Sequence, residues 1–276
     1  MEAERVSLYR RVRAILKRIL PSALYLPYRY LFCREDRAAI HSFLLDSEIA
    51  ASLFKRLSLV YRLYVISYAI HCAHTQEEVL SFCRAILTVP PDAEGCVVEA
   101  GAYKGGSTAK FSIAARLANR ELVVFDSFEG IPDNDEPHDK NIFGGSASFP
   151  EGSFRGTLEE VKANVARYGE IDVCSFVQGW FEETMPSFFR PIVAIYLDVD
   201  LAESTRVCLR HLYPLLAPGG VLYSQDGHLP LVIDVFNSSS FWQREVGCAR
   251  PHVEGLGTRK LIWATKPADA REQVVG

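Results

Sequence analysis

The sequence predicts an α/β fold: a mostly parallel sheet covered by helices on both faces, behind a helical N-terminal extension. Three observations point there. From Gly95 onward, short apolar runs alternate with amphipathic stretches of helical length. The runs are apolar almost throughout, as strands buried on both faces are. Residues 1–88 carry helical patterning and end at the breaker Val89-Pro90-Pro91-Asp92. A chain of 276 residues accommodates one large domain of this kind, over residues 89–276, with an extension over residues 1–88.

Composition narrows the function classes. Hydrophobic residues make up 49%, ample for a core, and a net charge of −4 argues against a nucleic-acid partner. The charge is uneven, because residues 1–40 carry nine Lys/Arg against four Asp/Glu. Seven cysteines are scattered without a C-x-x-C pair, which reads as reduced thiols in a cytoplasmic protein rather than a zinc site. The most apolar run, residues 59–70, is too short to span a bilayer and contains Arg62, so it reads as a core helix.

Taken in order, the first element is a helix with Leu8, Val12, Ile15, Leu16 and Ile19 on one face. Arg10, Arg11, Arg13, Lys17 and Arg18 cover the other, and Pro21 ends it. Such an arm packs on its own domain or on a second copy in a homodimer; its basic face also suits peripheral contact of residues 1–20 with anionic lipid. A later helix over Gln76–Leu87 has Thr75 as its cap and Glu77 and Glu78 in its first turn. Strands are expected at 95–101, 121–128, 173–179, 193–200 and 220–226, with helices at 106–119, 156–168, 203–217 and 229–243. PHVEGLG and RKLIWATKP are expected to close the sheet as a pair of strands. Residues 129–156, rich in Gly, Pro, Asp and Ser, form a loop of the length that serves as a lid.

In open parallel sheets ligands bind beyond the carboxyl ends of the strands. Strand one ends in Glu99-Ala-Gly101-Ala-Tyr-Lys-Gly105-Gly106-Ser107-Thr108. A dinucleotide site needs G-x-G-x-x-G, but Tyr103 stands at the second glycine; a P-loop needs a lysine where Ser107 stands. What remains is E-x-G-x-x-x-G, in which an acidic side chain can accept from the ammonium of an amino-acid moiety. Asp126, at the end of strand two, is placed to accept from ribose hydroxyls. Gln178-Gly179-Trp180 ends strand three, where an aromatic face can hold adenine. Asp198 and Asp200 follow strand four, and Gln225 and Asp226 follow strand five.

The runs VVEAGAYKGGST, VFDSFEGIP, QGWFEETMP, LDVDLAEST and LYPLLAPGGVLYSQD, in this order over residues 95–228, resemble the macrocin O-methyltransferase family. That resemblance implies a Rossmann-like class I methyltransferase sheet of order 3-2-1-4-5-7-6, its last strand antiparallel, and S-adenosylmethionine as cofactor. The positions matching the cofactor motifs are Glu99, Gly101, Gly105, Asp126, Ser127, Phe128 and Trp180. Ala102 and Ser107 of the first turn and Gln178 and Gly179 after strand three complete the expected cofactor site. The resemblance also implies magnesium on Asp198, Gln225 and Asp226, holding a hydroxyl of a small molecule such as a sugar or natural-product glycoside. Asp198, Asp200 and His228 are the catalytic candidates, with His138 a further possible base. Two departures stand out: Gln225-Asp226 replaces the family's Asp pair, and Ala202 replaces an aromatic. A neutral Gln removes one charge from a hard-cation site, which leaves a cofactor-binding relative without chemistry as the alternative.

Overall fold

The computed structural model describes residues 22–267. The basic helix expected at residues 8–20, and with it any lipid contact, lies outside them. The helical extension comprises α1 (Ser22–Phe32), α2 (Arg34–Leu45), α3 (Leu53–Ala69) and α4 (Gln76–Thr88). The apolar run at 59–70 falls inside α3, which buries Leu59, Val60, Leu63, Tyr64 and Ile66. Arg62 leaves that face and reaches Glu170 and the carbonyls of Tyr168 and Gly169. At the start of α4 the Thr75 hydroxyl accepts from the Glu78 N–H, and the Glu78 carboxylate accepts from the Thr75 N–H. This reciprocal pair satisfies two backbone donors that a helix N-terminus otherwise leaves bare.

The sheet follows as β1 (Cys96–Ala100), β2 (Leu122–Asp126), β3 (Cys174–Gln178), β4 (Ile192–Leu197), β5 (Leu216–Ser224) and β6 (Ile262–Thr265). Its order is β3-β2-β1-β4-β5-β6, with the first five strands parallel and β6 antiparallel to β5. The connections contain α5 (Gly106–Leu117), α6 (Leu158–Tyr168), α7 (Ala202–Leu212) and α8 (Pro230–Asn237), besides short helical turns at Phe181–Thr184 and Ser239–Phe241. The α/β class expected from the sequence stands, with one strand fewer than the seven anticipated. PHVEGLG contributes only a single bridge, Glu254 to Trp263. Gly255 and Gly257 adopt φ of 78° and 70°, turning the chain away before a ladder can form.

Side chains on one sheet face, including Val97, Val124 and Tyr196, share a core with Leu63 of α3, Phe82 of α4 and Phe111 of α5. The other face packs Val98, Ile195 and Leu222 against Leu209 of α7 and Val232 of α8. The break at residues 89–92 therefore separates two sequence patterns but not two cores. Among the described residues no helix is long and apolar enough to cross a membrane.

Candidate functional site

The carboxyl ends of β1 and β4 meet at a point where only glycine fits. A Cβ on Gly101 would stand 2.0 Å from the Asp198 carbonyl oxygen, and Gly101 has φ of 88°. Two residues on, the chain turns through Tyr103 and Gly105, both at positive φ, into α5. Asp126 ties this turn to the next strand end, its carboxylate accepting from the N–H groups of Ala102 and Phe128 at 2.6 Å each. Burial raises its pKa, while those N–H groups pull the other way.

These turns open into a cavity of about 320 Å³ that runs on to the ends of β4 and β5. Gly101, Ala102, Ser107, Asp126, Ser127, Gly179 and Trp180 all line it, so seven of the eleven expected cofactor residues share one wall system. Glu99, Gly105, Phe128 and Gln178 do not. Phe128 is buried in the core and Gln178 is exposed. Glu99 lies wholly buried beneath the turn, and neither carboxylate oxygen has a hydrogen-bond partner among the described residues. Burial pushes its carboxyl up to about 8, with the nearby Ser107 and Thr108 hydroxyls opposing.

Residues 129–156 fold over the cavity, bringing Ile131, Pro132, Phe149 and Phe154 into its lining. The lid is fastened at two places. Glu136 accepts from the N–H groups of Ala202 and Glu203 at the start of α7, each at 2.8 Å. The Ile142 N–H donates to the His228 carbonyl, and the Phe143 ring stacks on the His228 ring. His138 is held by Glu136 and packs edge-on to Phe149; it does not line the cavity, which removes it as a base.

At the far end three carboxylates converge. Asp198, Asp200 and Asp226 each offer an oxygen within 4.8 Å of the others. The Val199 and Asp200 N–H groups donate to Asp226 Oδ2, and His74 Nε2 donates to Asp198 Oδ2. Burial works against the Asp198 charge, but His74 outweighs it and holds the carboxyl below its ordinary value. Burial, with Asp198 beside it, pushes Asp226 up to about 7. Asp200 is raised well above the usual carboxylate range by burial and by Asp226 and Asp198. It also sits at φ of 59°, a conformation that an aspartate tolerates at some cost. His228 is pushed the other way, to about 4, by burial and the nearby Lys260.

Gln225 requires a correction. Its Oε1 accepts from the Tyr196 hydroxyl at 2.8 Å, the residue is wholly buried, and it lies outside the cavity lining. Strand alternation carries residue 225 to the Tyr196 side of the sheet, the side of Tyr223. The carboxylate that joins Asp198 and Asp226 is Asp200. Sequence reading also missed His74, Cys72 and Lys260, all of which line the cavity. The signal was present in His71-Cys72-Ala73-His74, three chemistry-bearing side chains in four loop residues directly before the Thr75 cap.

With the geometry in hand, the chain matches the family described as Macrocin-O-methyltransferase (TylF) over residues 78–236. The chain belongs to this family. It is 32% identical over 200 residues, 70% of this chain and 74% of the relative, to the 8-demethyl-8-(2,3-dimethoxy-alpha-L-rhamnosyl)-tetracenomycin-C 4'-O-methyltransferase of Streptomyces olivaceus. It is also 32% identical over 148 residues, 49% of this chain and 56% of the relative, to the mycinamicin III 3''-O-methyltransferase of Micromonospora griseorubida. Among solved structures, the O-methyltransferase NovP aligns with a TM-score of 0.62 at 22% identity, covering 77% of this chain and 99% of that one, a likeness of fold. As a member of the macrocin O-methyltransferase family, the chain is an O-methyltransferase, and the cavity is its candidate active site.

Proposed function

We propose that this O-methyltransferase moves a methyl group from S-adenosylmethionine to a sugar hydroxyl of a natural-product glycoside. The observation that carries the reading is one continuous cavity joining the Gly101–Ala102 turn, Asp126 and Trp180 to the Asp198, Asp200 and Asp226 cluster. A methyl donor on the first group would face a hydroxyl on the second. Asp126 supplies an acceptor for ribose hydroxyls and Trp180 an aromatic face for adenine. The Streptomyces olivaceus relative carries a name in which the methylated natural product bears a rhamnosyl group. The apolar lid residues Ile131, Phe149 and Phe154 suit the hydrophobic flank of such an acceptor.

The three carboxylates fit a hard divalent cation such as magnesium: they are oxygen ligands, close together, and two of them are driven toward protonation by burial and by the neighbouring carboxylates. Asp198, Asp200 and Asp226 would hold the ion, which when bound supplies the positive charge that acidifies the acceptor hydroxyl. The carbon–sulfur bond of the sulfonium breaks as the carbon–oxygen bond forms, and the hydroxyl proton passes to His228. That residue lines the cavity beside the three carboxylates and, with its pKa lowered to about 4 by burial and the nearby Lys260, stands neutral and able to accept it. The lid excludes water, and the fixed placement of donor and acceptor provides much of the rate.

The test is transfer of labelled methyl from S-adenosylmethionine onto a panel of deoxyhexosyl polyketides and their aglycones, with products mapped by NMR. Methylation at a sugar oxygen is the expected result. Methylation of aglycones alone would refute the sugar assignment.

A further inference from the structure

Large apolar side chains left in water are concentrated on one part of the molecule. Of the twelve exposed among the described residues, eight lie between Leu24 and Tyr61, in the helical extension. Scattered apolar residues are ordinary on a protein surface, whereas a concentration of them marks a contact.

Helix α3 shows why these side chains have nowhere to go. Leu59, Leu63, Tyr64 and Ile66 bury one side of it against the core. Leu53, Leu57 and Tyr61, spaced by one turn each, stay exposed on another side, and Phe54 beside them is 81% exposed. A helix apolar on both sides is expected to be covered on both. Helix α1 packs on α3 and repeats the pattern. Its Tyr25 turns inward to the rings of Tyr64 and Tyr68, while Leu24, Leu31 and Phe32 remain outside, Phe32 at 76% exposure. The end of α2 joins them: Arg56 donates to the carbonyls of Leu44, Asp46, Ile49 and Ala51, which brings exposed Leu45 beside the start of α3.

The same end of the chain is basic. Residues 1–40 carry nine Lys/Arg against four Asp/Glu, although the whole chain has a net charge of −4. Arg10, Arg11, Arg13, Lys17 and Arg18 lead directly into α1, and Arg34 and Lys55 stand exposed close in sequence to Phe32 and Phe54. A second copy docked face to face would set this positive end against itself. An anionic lipid surface meets both demands, taking apolar side chains at the boundary of headgroups and acyl chains and pairing basic ones with lipid phosphates.

We propose that the outer face of α1 and α3, with the basic segment that leads into it, docks on an anionic bilayer surface. The contact lies in the plane of the interface, since no helix among the described residues is long and apolar enough to cross it. None of the exposed apolar residues of α1 and α3 lines the cavity, so the proposal stands apart from the methyl-transfer reading.

The experiment is flotation of the full chain with vesicles of phosphatidylserine and phosphatidylcholine, against phosphatidylcholine alone, with light scattering to report its oligomeric state. The chain is expected to bind the anionic vesicles about tenfold more tightly, and to lose that preference as salt screens the charge. A variant carrying Phe32→Ser and Phe54→Ser together should bind anionic vesicles at least about tenfold more weakly, with an unchanged circular dichroism spectrum. Failure to float with either vesicle, flotation that ignores lipid charge, or a variant that floats like the unmodified chain overturns the proposal. A dimer in solution that the same variant breaks also overturns it, because a second copy then occupies the face.

Discussion

Glu136, in the lid, caps the helix that begins at Ala202: its carboxylate accepts from the Ala202 and Glu203 N–H groups at 2.8 Å. The residue at the cap position, Leu201, makes no side-chain cap of its own, so α7 borrows one from a segment 66 residues earlier in the chain. Helix and lid are thereby coupled, and the helix starts two residues after Asp200. A carboxylate at a helix N-terminus also meets the positive end of the helix dipole.

Glu136→Ala should lower stability by about 1 kcal/mol, the usual loss for a helix cap. Urea unfolding measures it, and hydrogen exchange over residues 129–156 should quicken in the same variant. Exchange in the lid that matches the unmodified chain would show that Glu136 does not fasten it.

Glu99 predicts a pH dependence of the ligand-free protein. Its carboxyl stands near 4.5 when unfolded and about 8 when folded. Between these values the unfolded chain has lost the proton that the folded chain keeps, so stability falls as pH rises from about 4.5 to about 8. Glu99→Gln removes that contribution and should raise the thermal midpoint more at pH 8 than at pH 5. An equal effect at both pH values would contradict the orphaned, buried carboxyl.

Gly101→Ala should destabilise by roughly 3 kcal/mol or more, since it adds left-handed strain to an overlap with the Asp198 carbonyl oxygen. Because β1 and β4 are central and paired along their length, denaturant unfolding should register the full loss. A change below about 1 kcal/mol would mean that the strand ends can part without penalty.

The metal set is tested by a pair of substitutions. Asp226→Asn takes one charge from the carboxylate cluster and should abolish magnesium binding measured by calorimetry. Gln225→Asp should leave magnesium affinity unchanged and lower stability, because residue 225 is buried against the Tyr196 hydroxyl and away from the cavity. Tighter magnesium binding by Gln225→Asp would restore Gln225 to the metal site.

Much of this was legible in the chain. Apolar runs such as Cys96–Ala100 and Ile192–Leu197 are strands because both their faces are covered, and that burial writes itself into composition. Gly101 and Asp126 were readable because a tight turn and a strand-end carboxylate leave local signatures. Gln225 was misplaced because adjacency to Asp226 in sequence puts the two side chains on opposite sides of the strand end. His74 was missed for a different reason. It meets Asp198 only through packing of the helical extension on the sheet, a contact between residues 124 apart. No local periodicity records a contact of that range.

The most direct test of the account is calorimetric titration of the purified protein with S-adenosylhomocysteine, with Asp126→Ala alongside. The account predicts saturable heat with micromolar affinity, weakened by about 1–3 kcal/mol in the variant through loss of a buried hydrogen-bonding partner. No heat from S-adenosylhomocysteine or S-adenosylmethionine, with a folded protein in the cell, would contradict the cavity as a methyl-donor site.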